Sequence, residues 1–204
     1  HHDEKVRIGA AAAQLIQNDE TIILDSGTTT LEVARQIAVR KFKSPTVITN
    51  GLNIAIELAK LPQVRLIVVG GMLRHVSHSV VGPHAEQMLQ GHNADRLFLG
   101  VDGLDVNIGL MTPDVLEAQL HAQLIRVSRE VPVVADAPQL RRRRLSRIAQ
   151  PAVVPRRTTH HAPPPKCPHH APGNLPATPS RLRPVRYLVA QHPPLLMTIA
   201  EAET

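Results

Sequence analysis

The run Thr21-Ile22-Ile23-Leu24 passes directly into Asp25-Ser26-Gly27-Thr28-Thr29-Thr30, and that stretch passes into an amphipathic run over 31–38. The apolar run reads as a buried strand, the polar stretch as a tight turn, and the helical period behind it as a helix. No other feature narrows the fold as far, because the same unit recurs. Thr46-Val47-Ile48-Thr49 ends in Asn50-Gly51 and precedes a helical run over 52–60. A third apolar run, 64–69, ends in Gly70-Gly71. Arg96-Leu97-Phe98-Leu99 ends in Gly100-Val101-Asp102-Gly103, and a fifth run, 131–135, ends at Asp136.

Between these runs, residues 72–81 alternate and read as a short hairpin. Gly82-Pro83 opens a helix to about 90, 109–113 reads as a loop, and 114–129 as a helix. A helix over 4–17 precedes the first strand. The alternation predicts an α/β domain with a mainly parallel sheet and helices on both faces. In such sheets the carboxyl ends of the strands share one edge, and ligands bind there. The stretches ending at Thr30, Gly51, Gly71, Gly103 and Asp136 are therefore expected around one pocket.

The turn after the first strand suits an anion. Gly27 has no Cβ and lets a ligand approach the backbone. Ser26, Thr28, Thr29 and Thr30 place four hydroxyls beside the free N–H groups of a helix start, where the dipole favours phosphate. Ordinary N-capping explains one of those hydroxyls, not four. The stretch is not a Walker A loop, since no Gly-Lys-Ser/Thr follows. Asp102, Glu117 and Asp136 either cap and turn the chain or accept hydrogen bonds from sugar hydroxyls. Proton transfer by one of them would make the protein an enzyme. His75, His78 and His84 lack a metal-binding spacing, so no metal or cofactor is expected. The single Cys167 excludes an internal disulfide framework and fits a reducing cytosol.

Charge divides the chain. Residues 1–140 carry twelve Lys and Arg against fifteen Asp and Glu, and residues 141–204 carry eleven against two. The net charge of +6 thus belongs to the end, not to the body. Twelve of the eighteen prolines lie after 150. That composition predicts no regular packing over 150–204 apart from a short apolar segment near Tyr187-Leu188-Val189, so the segment reads as a disordered extension or a shifted reading frame. No apolar run is long enough for a membrane span, and the first residues do not read as a signal peptide.

Taken together, Asp25-Ser-Gly-Thr-Thr-Thr30, Thr49-Asn50-Gly51, Gly70-Gly71 with Arg74, Val81-Gly82-Pro83, Phe98-Leu-Gly-Val-Asp-Gly103, Gly109-Leu-Met-Thr112, Glu117-Ala118 and Val134-Ala-Asp136 resemble the sensor domain of DeoR-family bacterial repressors. The resemblance covers about 4–149 and is nearest the branch controlling amino-sugar operons. It implies a fold like ribose-5-phosphate isomerase and the glucosamine-phosphate deaminases. It also implies a cytoplasmic homo-oligomer that binds a phosphorylated sugar without turnover and thereby relieves repression. Phosphate would sit on the loop from Asp25 to Thr30, and the sugar would face Asn50, Gly51, Asp102 and Glu117. Operator DNA would be reached through a winged helix-turn-helix that the resemblance places ahead of this segment and outside this chain. Where the family has a Ser-Ser-Lys-Phe-like stretch, this chain has Ala137-Pro138-Gln139-Leu140, without the lysine. The alternatives are a sugar-phosphate isomerase or deaminase of the same fold, and a nucleic-acid binder acting through Arg141-Arg142-Arg143-Arg144 and the tail.

Overall fold

Ile22 and Leu24 leave the first strand on one side and Ile23 on the other, and all three are fully buried. A strand buried on both faces belongs inside a sheet covered twice. The computed structural model describes residues 2–40, 42–105, 107–152, 183–188 and 195–200, with side chains through Gln150. In chain order the elements begin α1 (His2–Ala13), β1 (Thr21–Leu24), α2 (Thr28–Arg40), β2 (Thr46–Thr49), α3 (Leu52–Leu58), β3 (Arg65–Val68), β4 (Met72–Arg74), β5 (Ser79–Val81) and α4 (Pro83–Leu89). They continue with β6 (Ala94–Gly100), β7 (Gly103–Asp105), β8 (Gly109–Thr112), α5 (Val115–Arg126), β9 (Ser128–Val134), a 3₁₀ turn (Ala137–Gln139), β10 (Ser146–Ala152), β11 (Arg183–Leu188) and β12 (Leu195–Ala200).

The five expected strands pair in parallel in the order β3-β2-β1-β6-β9. Alternation along each strand builds two cores. Ile22, Leu24, Val47, Phe98 and Val134 meet Ile8 and Ala12 of α1, Val33 and Ile37 of α2, and Ile54 and Leu58 of α3. Ile23, Ile48, Leu97, Leu99, Val131 and Val133 meet Ala85 and Leu89 of α4 and Leu120 and Leu124 of α5. The chain runs outward from β1 to β2 and β3, then crosses back to β6 on the other side of β1. The carboxyl ends of β1 and β6 therefore flank a topological switch point, where open α/β sheets form their binding crevice.

Three expectations need correction. Residues 109–112 are a strand, not a loop: β8 pairs antiparallel with β7 and with β10. One partner, β10, lies far along the chain and the other, β7, is only three residues long, so its own short pattern did not reveal it. Ser128 and Arg129 open β9 instead of ending α5, and the Ser128 hydroxyl donates back to the Leu124 carbonyl at 2.7 Å. Beyond 150, β11 runs parallel to β9 and takes in Tyr187 and Leu188 of the expected apolar segment, while β12, where composition predicted no regular element, joins it to β10. The remaining tail, including Pro163-Pro164-Pro165, Cys167 and Val189, lies outside the described residues. Among the described residues no helix is long and apolar enough to cross a membrane.

Helix α1 packs tightly on α2 at Gly9. A Cβ there would stand 2.7 Å from Glu32 Cβ and 2.8 Å from the Glu32 carbonyl carbon. Gly9→Val should therefore force the two helices apart and cost about 1–3 kcal/mol, the usual range for overpacking. Urea denaturation measures this, and an unchanged midpoint would mean that α1 shifts without cost.

Candidate functional site

The turn between β1 and α2 holds Gly27 at φ +124°, a conformation that strains any residue with a Cβ. The first helical bond of α2 is Leu31 N–H to the Gly27 carbonyl, 3.1 Å. The N–H groups of the three threonines before Leu31 thus have no partner inside the helix. The Thr30 hydroxyl returns to the Gly27 carbonyl at 3.0 Å and fixes the turn. Thr28 and Thr29 remain directed to the cavity beside it, which measures about 330 Å³, within the size range of small-molecule sites.

Asp25 lies under the turn with 1% exposure. One oxygen accepts the Gly100 N–H at 3.1 Å, which ties β1 to the end of β6. The other meets His121 Nε2 at 3.0 Å. Burial pulls the His121 imidazolium down, but the charge and hydrogen bond of Asp25, helped by Glu117 and Asp102, prevail and hold it above its ordinary 6.5. His121 Nδ1 has no hydrogen-bond partner among the described residues.

The far wall is acidic. Glu117, in the first turn of α5, accepts from Thr112 of β8 at 2.6 Å and from Ser79 of β5 at 3.2 Å. Asp114 caps that helix, accepting the Glu117 N–H at 2.9 Å. Thr112 Oγ1 also lies 3.2 Å from Asp102 Oδ2. A hydroxyl carries one proton, so donation to Glu117 leaves Asp102 with lone pairs for a ligand. Arg74 of β4 donates to Ser77 at 2.8 Å and to Asp114 at 3.3 Å, and stands 4.0 Å from Glu117.

Of the residues singled out in the sequence, Asp25, Ser26, Gly27, Thr28, Thr29, Thr30, Asp102 and Glu117 line this cavity. The other positions expected around the pocket, Asn50, Gly51, Gly70, Gly71, Gly103 and Asp136, do not line it. Asn50 is wholly buried, with neither amide atom partnered among the described residues. Gly51 bridges to Ser79, so the β4–β5 hairpin closes over the end of β2. Gly70 and Gly71 follow β3, the outermost strand, and Gly103 opens β7 against the Arg142 backbone. Asp136 turns to Lys5, 3.9 Å away. The sequence reading missed His121, Asn53, Ser77, His78 and Gln139, all of which line the cavity. Only His121 had a signal: it lies four residues after Glu117, on the same helix face.

The buried pair makes stability depend on pH. A folded pKa above the unfolded one means that the pair's contribution is complete below about 6.5 and is lost as pH rises through the higher folded value. Relative to His121→Gln, the wild-type chain should therefore lose stability between mildly acidic and alkaline pH. Denaturation at a series of pH values checks this, and a pH-independent difference would contradict it.

A family model described as the DeoR C terminal sensor domain matches residues 1–156. Over 144 residues the chain is 41% identical to a protein of Escherichia coli O157:H7 named as an aga operon transcriptional repressor, covering 71% of this chain and 53% of that one. It spans about half the length of the curated relatives it matches. Among solved structures it is similar to the translation initiation factor eIF-2B of Pyrococcus horikoshii OT3 (TM-score 0.50, 18% identity, 76% of this chain and 54% of that one). Ribose 5-phosphate isomerase from Plasmodium falciparum gives a TM-score of 0.48 at 19% identity, over 69% of this chain and 53% of that one.

Proposed function

We propose, for a chain that belongs to the DeoR C-terminal sensor domain family, that the cavity between β1 and β6 binds a phosphorylated sugar as the effector of a transcriptional repressor, with an amino sugar as the best fit. One observation carries this reading: a hydroxyl-bearing helix N-terminus and Asp102 with Glu117 line one cavity. The hydroxyls and N–H groups suit a phosphate. The carboxylates suit hydroxyls or an ammonium group.

Binding would relieve repression by favouring one arrangement of subunits over another, which requires different affinities for the two. Operator recognition falls to a helix-turn-helix outside 4–149. Residues 1–140 carry more acids than bases, and phosphate contacts by the basic run after Leu140 would convey no sequence information.

The test is calorimetric titration of the chain with galactosamine 6-phosphate, ribose 5-phosphate and the corresponding free sugars, followed by a product assay on each mixture. The reading predicts binding of a phosphorylated sugar, much weaker binding of its free form, and no product. Turnover of either phosphate would make the protein an enzyme of the same fold, and equal binding with and without the phosphate would remove the cradle.

A further inference from the structure

We propose that Lys5 is the cation that distinguishes a phosphorylated sugar from the free sugar, reaching the phosphate from α1. The inference rests on the phosphosugar reading above and adds a residue that lies on no strand end.

The cavity's own charges motivate it. Asp25, Asp102 and Glu117 line it as carboxylates, against Arg74 and His121. Both cations are engaged: Arg74 with Asp114 and Ser77, and His121 with Asp25. A phosphate carrying nearly two charges would thus enter a predominantly acidic space. The start of α2 offers about half a positive charge, which does not offset it.

Lys5 supplies the rest. Its Nζ donates to Thr28 Oγ1 at 2.8 Å, at the first residue of α2. Among the described residues it is the one cation hydrogen-bonded to a hydroxyl of the loop. An ammonium has three donors. One goes to Thr28, one faces Asp136 at 3.9 Å, and one is left for a ligand oxygen.

The position of Lys5 is also fixed. Glu4, the preceding residue, accepts the Ala137 N–H at 3.1 Å, and Gly9 seats α1 on α2. Adjacent residues of α1 therefore grip the loops after β1 and after β9. This places a lysine at the loop although Ala137-Pro138-Gln139 contains none. Asp136 then acts as a positioning residue that holds Lys5 and competes with the phosphate for it.

The experiment titrates the full chain with galactosamine 6-phosphate, galactosamine and inorganic phosphate, for wild type, Lys5→Met, Lys5→Arg and Asp136→Asn, with a melting curve for each. Lys5→Met should weaken binding of galactosamine 6-phosphate about tenfold or more, the effect of losing one charge-assisted hydrogen bond. It should weaken inorganic phosphate likewise and leave galactosamine unchanged. Lys5→Arg should restore most of the loss, and Asp136→Asn should tighten both phosphate probes. A Lys5→Met chain that binds galactosamine 6-phosphate as wild type does, or loses galactosamine equally, would overturn the role of Lys5 and leave the phosphosugar reading standing. A wild-type chain that binds neither phosphate probe would overturn both.

Discussion

Asp25→Ala will destabilise the fold by about 3–5 kcal/mol, the range for removing one partner of a buried ion pair. Its carboxylate is 1% exposed and His121 3% exposed, so neither has water to turn to. The substitution strands the imidazolium and also frees the Gly100 N–H, which joins the first strand to the fourth of the five parallel ones. Asp25→Asn should cost less, because an amide oxygen can still accept the Gly100 N–H. Denaturant titration at neutral pH separates the two. Equal stability of Asp25→Ala and wild type would mean that the pair is a by-product of folding and does not help hold the strand ends together.

Thr28→Ala combined with Thr29→Ala will leave the fold intact and weaken phosphosugar binding a hundredfold or more. Each hydrogen bond to a charged group is worth roughly 1.5–3 kcal/mol, and about 1.4 kcal/mol is a factor of ten. Thr30 is left in place because its hydroxyl already serves the Gly27 carbonyl. Titration with galactosamine 6-phosphate measures the loss. Unchanged affinity would mean that the backbone N–H groups act alone or that the phosphate sits elsewhere.

Local order made the centre of this molecule readable. Ile22 to Thr30 specify strand, turn and helix within ten residues, and each of the five parallel strands ends in its own turn chemistry. Asp102 and Glu117 followed from the rule that strand ends converge. That rule overreached at Asn50, Gly70 and Gly71, because it does not say that a hairpin will close over the end of β2 or that β3 will lie outermost. The strand at Gly109–Thr112 was hidden because its partners lie on either side of it in sequence, at 103–105 and 146–152. His121 was hidden by its neighbours: a histidine amid leucine and alanine on a helix reads as core until Asp25 is seen beneath it. In the proline-rich tail only the apolar segment near Tyr187-Leu188-Val189 stood out, and Tyr187 and Leu188 lie in β11, where it pairs with β9.

The position of a bound phosphate tests the central claim most directly. A crystal structure of the chain with galactosamine 6-phosphate should place the phosphorus at the start of α2, its oxygens within hydrogen-bond distance of the N–H groups and hydroxyls of Thr28 and Thr29. The sugar should extend toward Asp102 and Glu117. A phosphate seated on Arg74 with the sugar at the α2 terminus, or a ligand outside the cavity between β1 and β6, would contradict the account.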